Sequence, residues 1–140
     1  MAEPLVYKFE VDGDNFTSAG EASVKMKKNL RMLGISPDII RRVAIAMYEG
    51  EINMVIHAGG GDVTVTVYPE KIDIVLDDRG PGIADVDLAM REGFSTAPEN
   101  IRNLGFGAGM GLPNMKKNTD SMSVESTLGV GTKISMTVNL

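Results

Sequence analysis

The chain has no cysteine, no tryptophan and one histidine among its 140 residues. Without cysteine there is no disulfide, no thiolate nucleophile and no sulfur-ligated metal, and one histidine rules out a multi-histidine centre. Any metal must be held by oxygen ligands. Basic charge is also scarce: 14 Lys and Arg stand against 19 Asp and Glu, a net charge of −5. General nucleic-acid and anionic-membrane binding both require a basic footprint, so proteins and small molecules are the expected partners, with no direct nucleic acid and no membrane. No apolar run approaches spanning length, and Met1-Ala2-Glu3-Pro4 has neither a basic nor an apolar leader region, so a cytoplasmic protein is expected. What is present is ordinary for a folded domain: 43% hydrophobic and 24% charged residues, in a length that suits a single domain over 1–140.

Leu5 to Val11 alternates apolar Leu5, Tyr7, Phe9 and Val11 with Lys8 and Glu10, the period of a half-buried strand. From about Thr17 to Leu33, Ala22, Met26, Leu30 and Leu33 recur at helical spacing, with Thr17 or Ser18 as N-cap and Gly34 as the stop. Ser36-Pro37 opens a second helix, running to His57 or Ala58, whose apolar density predicts burial. Val63 to Tyr68 and Ile72 to Leu76 form a predicted antiparallel hairpin. Beyond it lie a short helix near Val86 to Arg91, a long loop from Gly93 to Asn103, a helix from Leu112 to Asn118, and strands from Ser121 to Ser126 and Thr132 to Val138. This order lacks a strand-helix alternation. It predicts an α+β two-layer sandwich, a mixed and mostly antiparallel sheet with helices on one face.

Four stretches have chemical content. Gly105, Gly107, Gly109 and Gly111 alternate with other residues just before a predicted helix, so backbone N–H groups and a helix N-terminus could crowd one phosphate; a glycine-rich loop that binds nothing has the same composition. Glu49 and Asn53 are one turn apart on the buried helix, where a carboxylate can take a proton and an amide oxygen can ligate a hard cation. Glu51, about 200° round from Asn53, should point elsewhere. His57, four residues beyond Asn53, suits the carbonyl end of the helix better than catalysis. Asp78, followed by Gly80 and Gly82, could accept a hydrogen bond from an exocyclic amine beside backbone that a flat ring can approach. Turn initiation is the plainer role, and Asp77 is a competitor.

Taken in order, Glu49-x-x-x-Asn53, Asp78-x-Gly80-x-Gly82-Ile83, Gly107-x-Gly109-Met110-Gly111-Leu112 and Gly131-Thr132 resemble the boxes of the GHKL, or Bergerat-fold, ATPase superfamily. Asp-Arg-Gly-Pro-Gly-Ile, Gly-Phe-Ser-Thr and Gly-Met-Gly-Leu-Pro-Asn-Met-Lys-Lys look most like its stand-alone anti-sigma-factor and switch-protein serine/threonine kinases, of the RsbW, SpoIIAB and RsbT type. The resemblance implies a Bergerat-type fold binding ATP and Mg²⁺. It implies Glu49 as general base, Asn53 as Mg²⁺ ligand and Asp78 as adenine acceptor, with Gly80, Gly82 and Ile83 in the base pocket. Gly107, Gly109, Met110, Gly111 and Leu112 would lie by the phosphates, Thr132 would support Asp78, and about Gly93 to Ala108 would be a lid. Gly50, beside the implied base, weakens a helix and could leave room for a strand or ligand.

The implied activity is ATP-dependent phosphorylation of a serine on a STAS-type antagonist, with sequestration of a sigma factor as a companion role and a homodimer as a further expectation. The alternatives are a nucleotide-dependent partner-binding module without phosphoryl transfer, a histidine-kinase-like ATPase domain, and a metabolic ATPase.

Overall fold

The structure is a computed structural model that describes residues 4–12, 20–57, 60–78, 111–127 and 131–140. Five strands and three helices follow the chain in the order β1 (Leu5–Asp12), α1 (Glu21–Met32), α2 (Pro37–His57), β2 (Gly60–Val67), β3 (Lys71–Asp78), α3 (Gly111–Lys117), β4 (Ser121–Thr127) and β5 (Gly131–Asn139). The strands make one sheet in the order β1-β2-β3-β5-β4. All four pairings are antiparallel, so among the described residues the sheet has no parallel pair of the kind a mixed sheet would contain.

Alternation sets which face is covered. Val63, Val65 and Val67 of β2, Ile72, Ile74 and Leu76 of β3, and Ile134, Met136 and Val138 of β5 are all buried on one side. Ala22, Met26 and Leu30 of α1, Val43, Ala46, Met47 and Met54 of α2, and Leu112 and Met115 of α3 close over that side, giving one core between two layers. Two antiparallel hydrogen-bonded neighbours, β2 and β5, with a further strand beyond each, make β3 the central strand, and its last residue, Asp78, is where the chain leaves the described core.

Helix α2 begins where Ser36-Pro37 predicted, with Ser36 Oγ accepting from Ile39 N at 3.4 Å. Helix α1 ends as predicted too: Gly34 takes φ +75°, its N–H bonds Arg31 O, and Ile35 N bonds Leu30 O, a Schellman-type close. Its start differs from the expectation. The helix opens at Glu21 with Gly20, which has no side chain to cap with, as N-cap at φ +97°; Thr17 and Ser18 lie outside the described residues. The predicted segment Val86 to Arg91 and the Gly93 to Asn103 loop also lie outside them.

Candidate functional site

Glu49 sits midway along α2, half-buried, on the edge that α3 packs against. Its Oε1 accepts a hydrogen bond from Asn114 Nδ2 at 3.2 Å. Because an ionised carboxylate only accepts, the amide must present its nitrogen, which fixes the orientation of Asn114. A second tie lies two turns earlier on α2, where Arg42 Nε donates to the carbonyl of Asn118 at 3.1 Å. Asn118 is four residues after Asn114, and Arg42 seven before Glu49, so α3 lies antiparallel to α2. Helix α3 and the candidate base, distant in sequence, are thereby brought to one place. Asn53, one turn beyond Glu49, is half-buried on the same side of α2.

Glu51 points the other way. It is 2% exposed and receives three backbone N–H groups from the start of α1: Gly20 N at 2.8 Å and Ala22 N at 3.2 Å on Oε2, and Ser23 N at 2.8 Å on Oε1. Ser23 Oγ donates back to Gly20 O at 2.8 Å. A carboxylate from a different helix thus caps α1, in place of the local side chain that Gly20 lacks. Burial pushes the Glu51 carboxyl above its ordinary range, and the bonds from Ser23, Gly20 and Ala22 pull only partly against this. The α1 start is close to α2 in another way: a Cβ on Gly20 would meet the Tyr48 ring at 3.0 Å.

Between the two glutamates, Gly50 faces the sheet. A Cβ there would fall 2.6 and 2.7 Å from the two methyls of Leu76, so glycine lets α2 lie directly on β3. The room that this residue provides is used by the strand.

Asp78 ends β3 between two glycines of the flanking strands. Thr132 N donates to Asp78 Oδ1 at 2.9 Å, and Thr132, 5% exposed, shares a hydroxyl contact of 3.1 Å with Ser126. Gly131, at φ +151°, lies so close that a Cβ would collide with Asp78 O; on the other side a Cβ on Gly61 would collide with Asp77 O and lie 2.8 Å from Asp78 Cα. Both glycines let the flanking strands approach the backbone of Asp77 and Asp78 closely, which fixes the end of β3.

Glu49, Asn53, Asp78, Leu112 and Thr132 are thus placed, with Leu112 buried under α3, and Gly111 begins that helix. Gly80, Gly82, Ile83, Gly107, Gly109 and Met110 lie outside the described residues. Two residues near these positions escaped the sequence reading: Asn114, which touches Glu49, and Gly61, which flanks Asp78. Asn114 stands in the Gly-Met-Gly-Leu-Pro-Asn-Met-Lys-Lys stretch, but nothing in that stretch points it at Glu49. Gly61 was legible only as a helix stop, because it lies in a run of three glycines.

Residues 33–140 match the model of the family described as histidine kinase-, DNA gyrase B-, and HSP90-like ATPase. The chain is 33% identical over 97 residues to the serine/threonine-protein kinase RsbT of Bacillus subtilis (strain 168), covering 66% of this chain and 67% of that protein. It is 38% identical over 103 residues to an anti-sigma F factor of Caldanaerobacter subterraneus subsp. tengcongensis, covering 70% and 68%. Among solved structures, the mycobacterial sensor histidine kinase MprB superposes with a TM-score of 0.56 at 18% identity, over 96% of this chain and 97% of that one. A chain of the SiaB-SiaC complex from Pseudomonas aeruginosa gives 0.57 at 11% identity, over 96% and 89%. At these identities the two structures establish the fold.

Proposed function

The chain belongs to the histidine kinase-, DNA gyrase B- and HSP90-like ATPase family, which implies the use of ATP, and from that premise we propose that it is a protein serine/threonine kinase of a partner-switching system. The observation that carries this reading is the half-buried Glu49 carboxylate held against α3, the helix that the glycine run opens. A general base must lie beside the group being transferred, and here the residue able to act as one adjoins α3, the helix that follows the glycine run in sequence.

The residues present fit a magnesium nucleotide. Asp78 stands at the end of the central strand with its Oδ1 held by Thr132 N, which orients the carboxylate. Asp78 would accept from the adenine amine, with Gly80, Gly82 and Ile83 around the base and Thr132 fixing the carboxylate. Gly107, Gly109, Met110, Gly111 and Leu112 would line the phosphates. Asn53 would supply an amide oxygen to Mg²⁺, a cation that otherwise takes water and substrate phosphate oxygens. The metal would supply charge neutralisation on the phosphates. Glu49 would take the proton from an attacking serine hydroxyl.

The relatives' names support a protein partner: RsbT is a serine/threonine-protein kinase and the other relative an anti-sigma F factor. The acceptor is then a serine on a STAS-type antagonist, and a sigma factor is a second partner; a homodimer and a cytoplasmic location complete the proposal. No helix among the described residues is long and apolar enough to cross a membrane. Incubation with γ-³²P-labelled ATP, Mg²⁺ and a recombinant STAS-domain protein should label the acceptor. Glu49→Ala should abolish labelling, and transfer untouched by that change would remove Glu49 as base. If a non-hydrolysable ATP analogue supports the same partner binding and no label appears, the protein is a nucleotide-dependent binding module instead.

A further inference from the structure

We propose that Asn114 is a positioning residue for the Glu49 carboxylate, and that it couples the placement of α3 to the competence of the base. The proposal rests on the kinase reading of Glu49. Glu49 projects from the middle of a 21-residue helix, and holding a long carboxylate side chain in one rotamer costs conformational entropy that a hydrogen bond must offset. Asn114 Nδ2 supplies that bond from α3, at 3.2 Å on Oε1.

The choice of an amide matters chemically. A lysine or arginine at this position would hold the carboxylate by a full charge and stabilise its ionised form against taking a proton. A neutral amide fixes the direction of one oxygen with a single bond and adds no counter-charge. The element that carries Asn114 is held independently of Glu49. Asn118 Nδ2 donates to Asn114 O at 2.8 Å, Arg42 Nε binds Asn118 O, and Arg42 Nη2 pairs with Asp120 at 3.3 Å. Met115, fully buried, anchors the same turn in the core. Asn114 is therefore presented to Glu49 by a braced helix, and a shift of that helix, which directly follows the glycine run, would move the donor off the base.

The test uses steady-state hydrolysis of Mg-ATP, with water as acceptor, on the full chain. Asn114→Ala should lower kcat roughly 10- to 100-fold with KM for ATP unchanged, since misplacing a catalytic group by about 1 Å has that effect. Asn114→Asp keeps the shape, and an acid is welcome near a helix N-terminus, but it sets an acceptor against an acceptor; it should be slower still than Asn114→Ala. A residue that only packs would show the opposite order. In a Glu49→Ala background, Asn114→Ala should cause no further loss. The side-chain amide resonance of Asn114 should shift in Glu49→Ala and stay put in the surface variant Glu70→Gln. An unmoved resonance, an Asp variant as active as wild type, or an equal loss in the Glu49→Ala background would each overturn the proposal. If the resonance shifts but the wild-type chain transfers phosphate neither to water nor to a STAS-domain protein, the kinase reading itself has failed and the contact is only a structural tie.

Discussion

Two carboxylates of α2, Glu49 and Glu51, are separated by one glycine and therefore lie about 200° apart around the helix, so one meets α3 and the other the start of α1. Their variants should separate function from stability. Glu51→Ala leaves three buried N–H groups without an acceptor, and unfolding free energy should fall by roughly 2–4 kcal/mol, measured by urea denaturation. Glu49→Ala removes a half-buried group that ties one amide, and its urea midpoint should stay close to that of wild type while phosphoryl transfer is lost. Gly50→Ala is a sharper case. In an open helix it would add about 1 kcal/mol of stability; here the new methyl meets Leu76 at 2.6 Å, and a net loss of about 1–3 kcal/mol is expected from overpacking. Adding Leu76→Val should recover part of that loss in the same assay.

At the scale of elements, the α1–α2 junction has a pH dependence that the Glu51 side chain sets. Its carboxyl is raised above the ordinary value of 4.5 by burial, so the folded state holds its proton more tightly than the unfolded chain does. That contribution to stability is complete below about pH 4.5 and is lost as pH rises through the higher folded value. Asp120 acts in the opposite sense. The N–H of Asn139, helped by Arg42, holds it below 3.8, and its contribution is present above that value and disappears as pH falls through the lower folded one. Urea midpoints measured from pH 4 to pH 7 should therefore decline more for wild type than for Glu51→Gln, which cannot ionise. A second junction, β3 against β5, depends on Gly131. Gly131→Ala would drive a methyl into Asp78 O at a positive φ that side chains rarely adopt, so it should weaken ATP binding as well as the fold, by isothermal titration and thermal melting respectively.

For the whole molecule, nucleotide binding to the folded state alone should raise the melting temperature by mass action. A ligand at about 100 times its Kd adds about 2.7 kcal/mol. Mg-ATP at millimolar concentration should stabilise the wild-type chain, and Asp78→Ala, which removes the acceptor held by Thr132 N, should melt at the same temperature with and without it. An equal shift in the variant would place adenine recognition elsewhere.

The sequence by itself determined the elements and their layering. Period-two runs such as Val63, Val65 and Val67 have one buried side and can only cover a core, and Ser36-Pro37 and Gly34 fix helix ends through local backbone chemistry. It also placed Glu49, Asn53 and Asp78 in an order that the family resemblance could interpret, and it sent Glu51 to the far side of α2 by helical period alone. Only the tertiary structure decided what each of those groups meets. That Glu51 caps α1, that Gly50 yields to Leu76, that Asp78 lies between Gly61 and Gly131, and that Asn114 reaches Glu49 are contacts between segments far apart in the chain. Local propensity cannot specify them, because each depends on how two elements are packed together and not on the residues within either one.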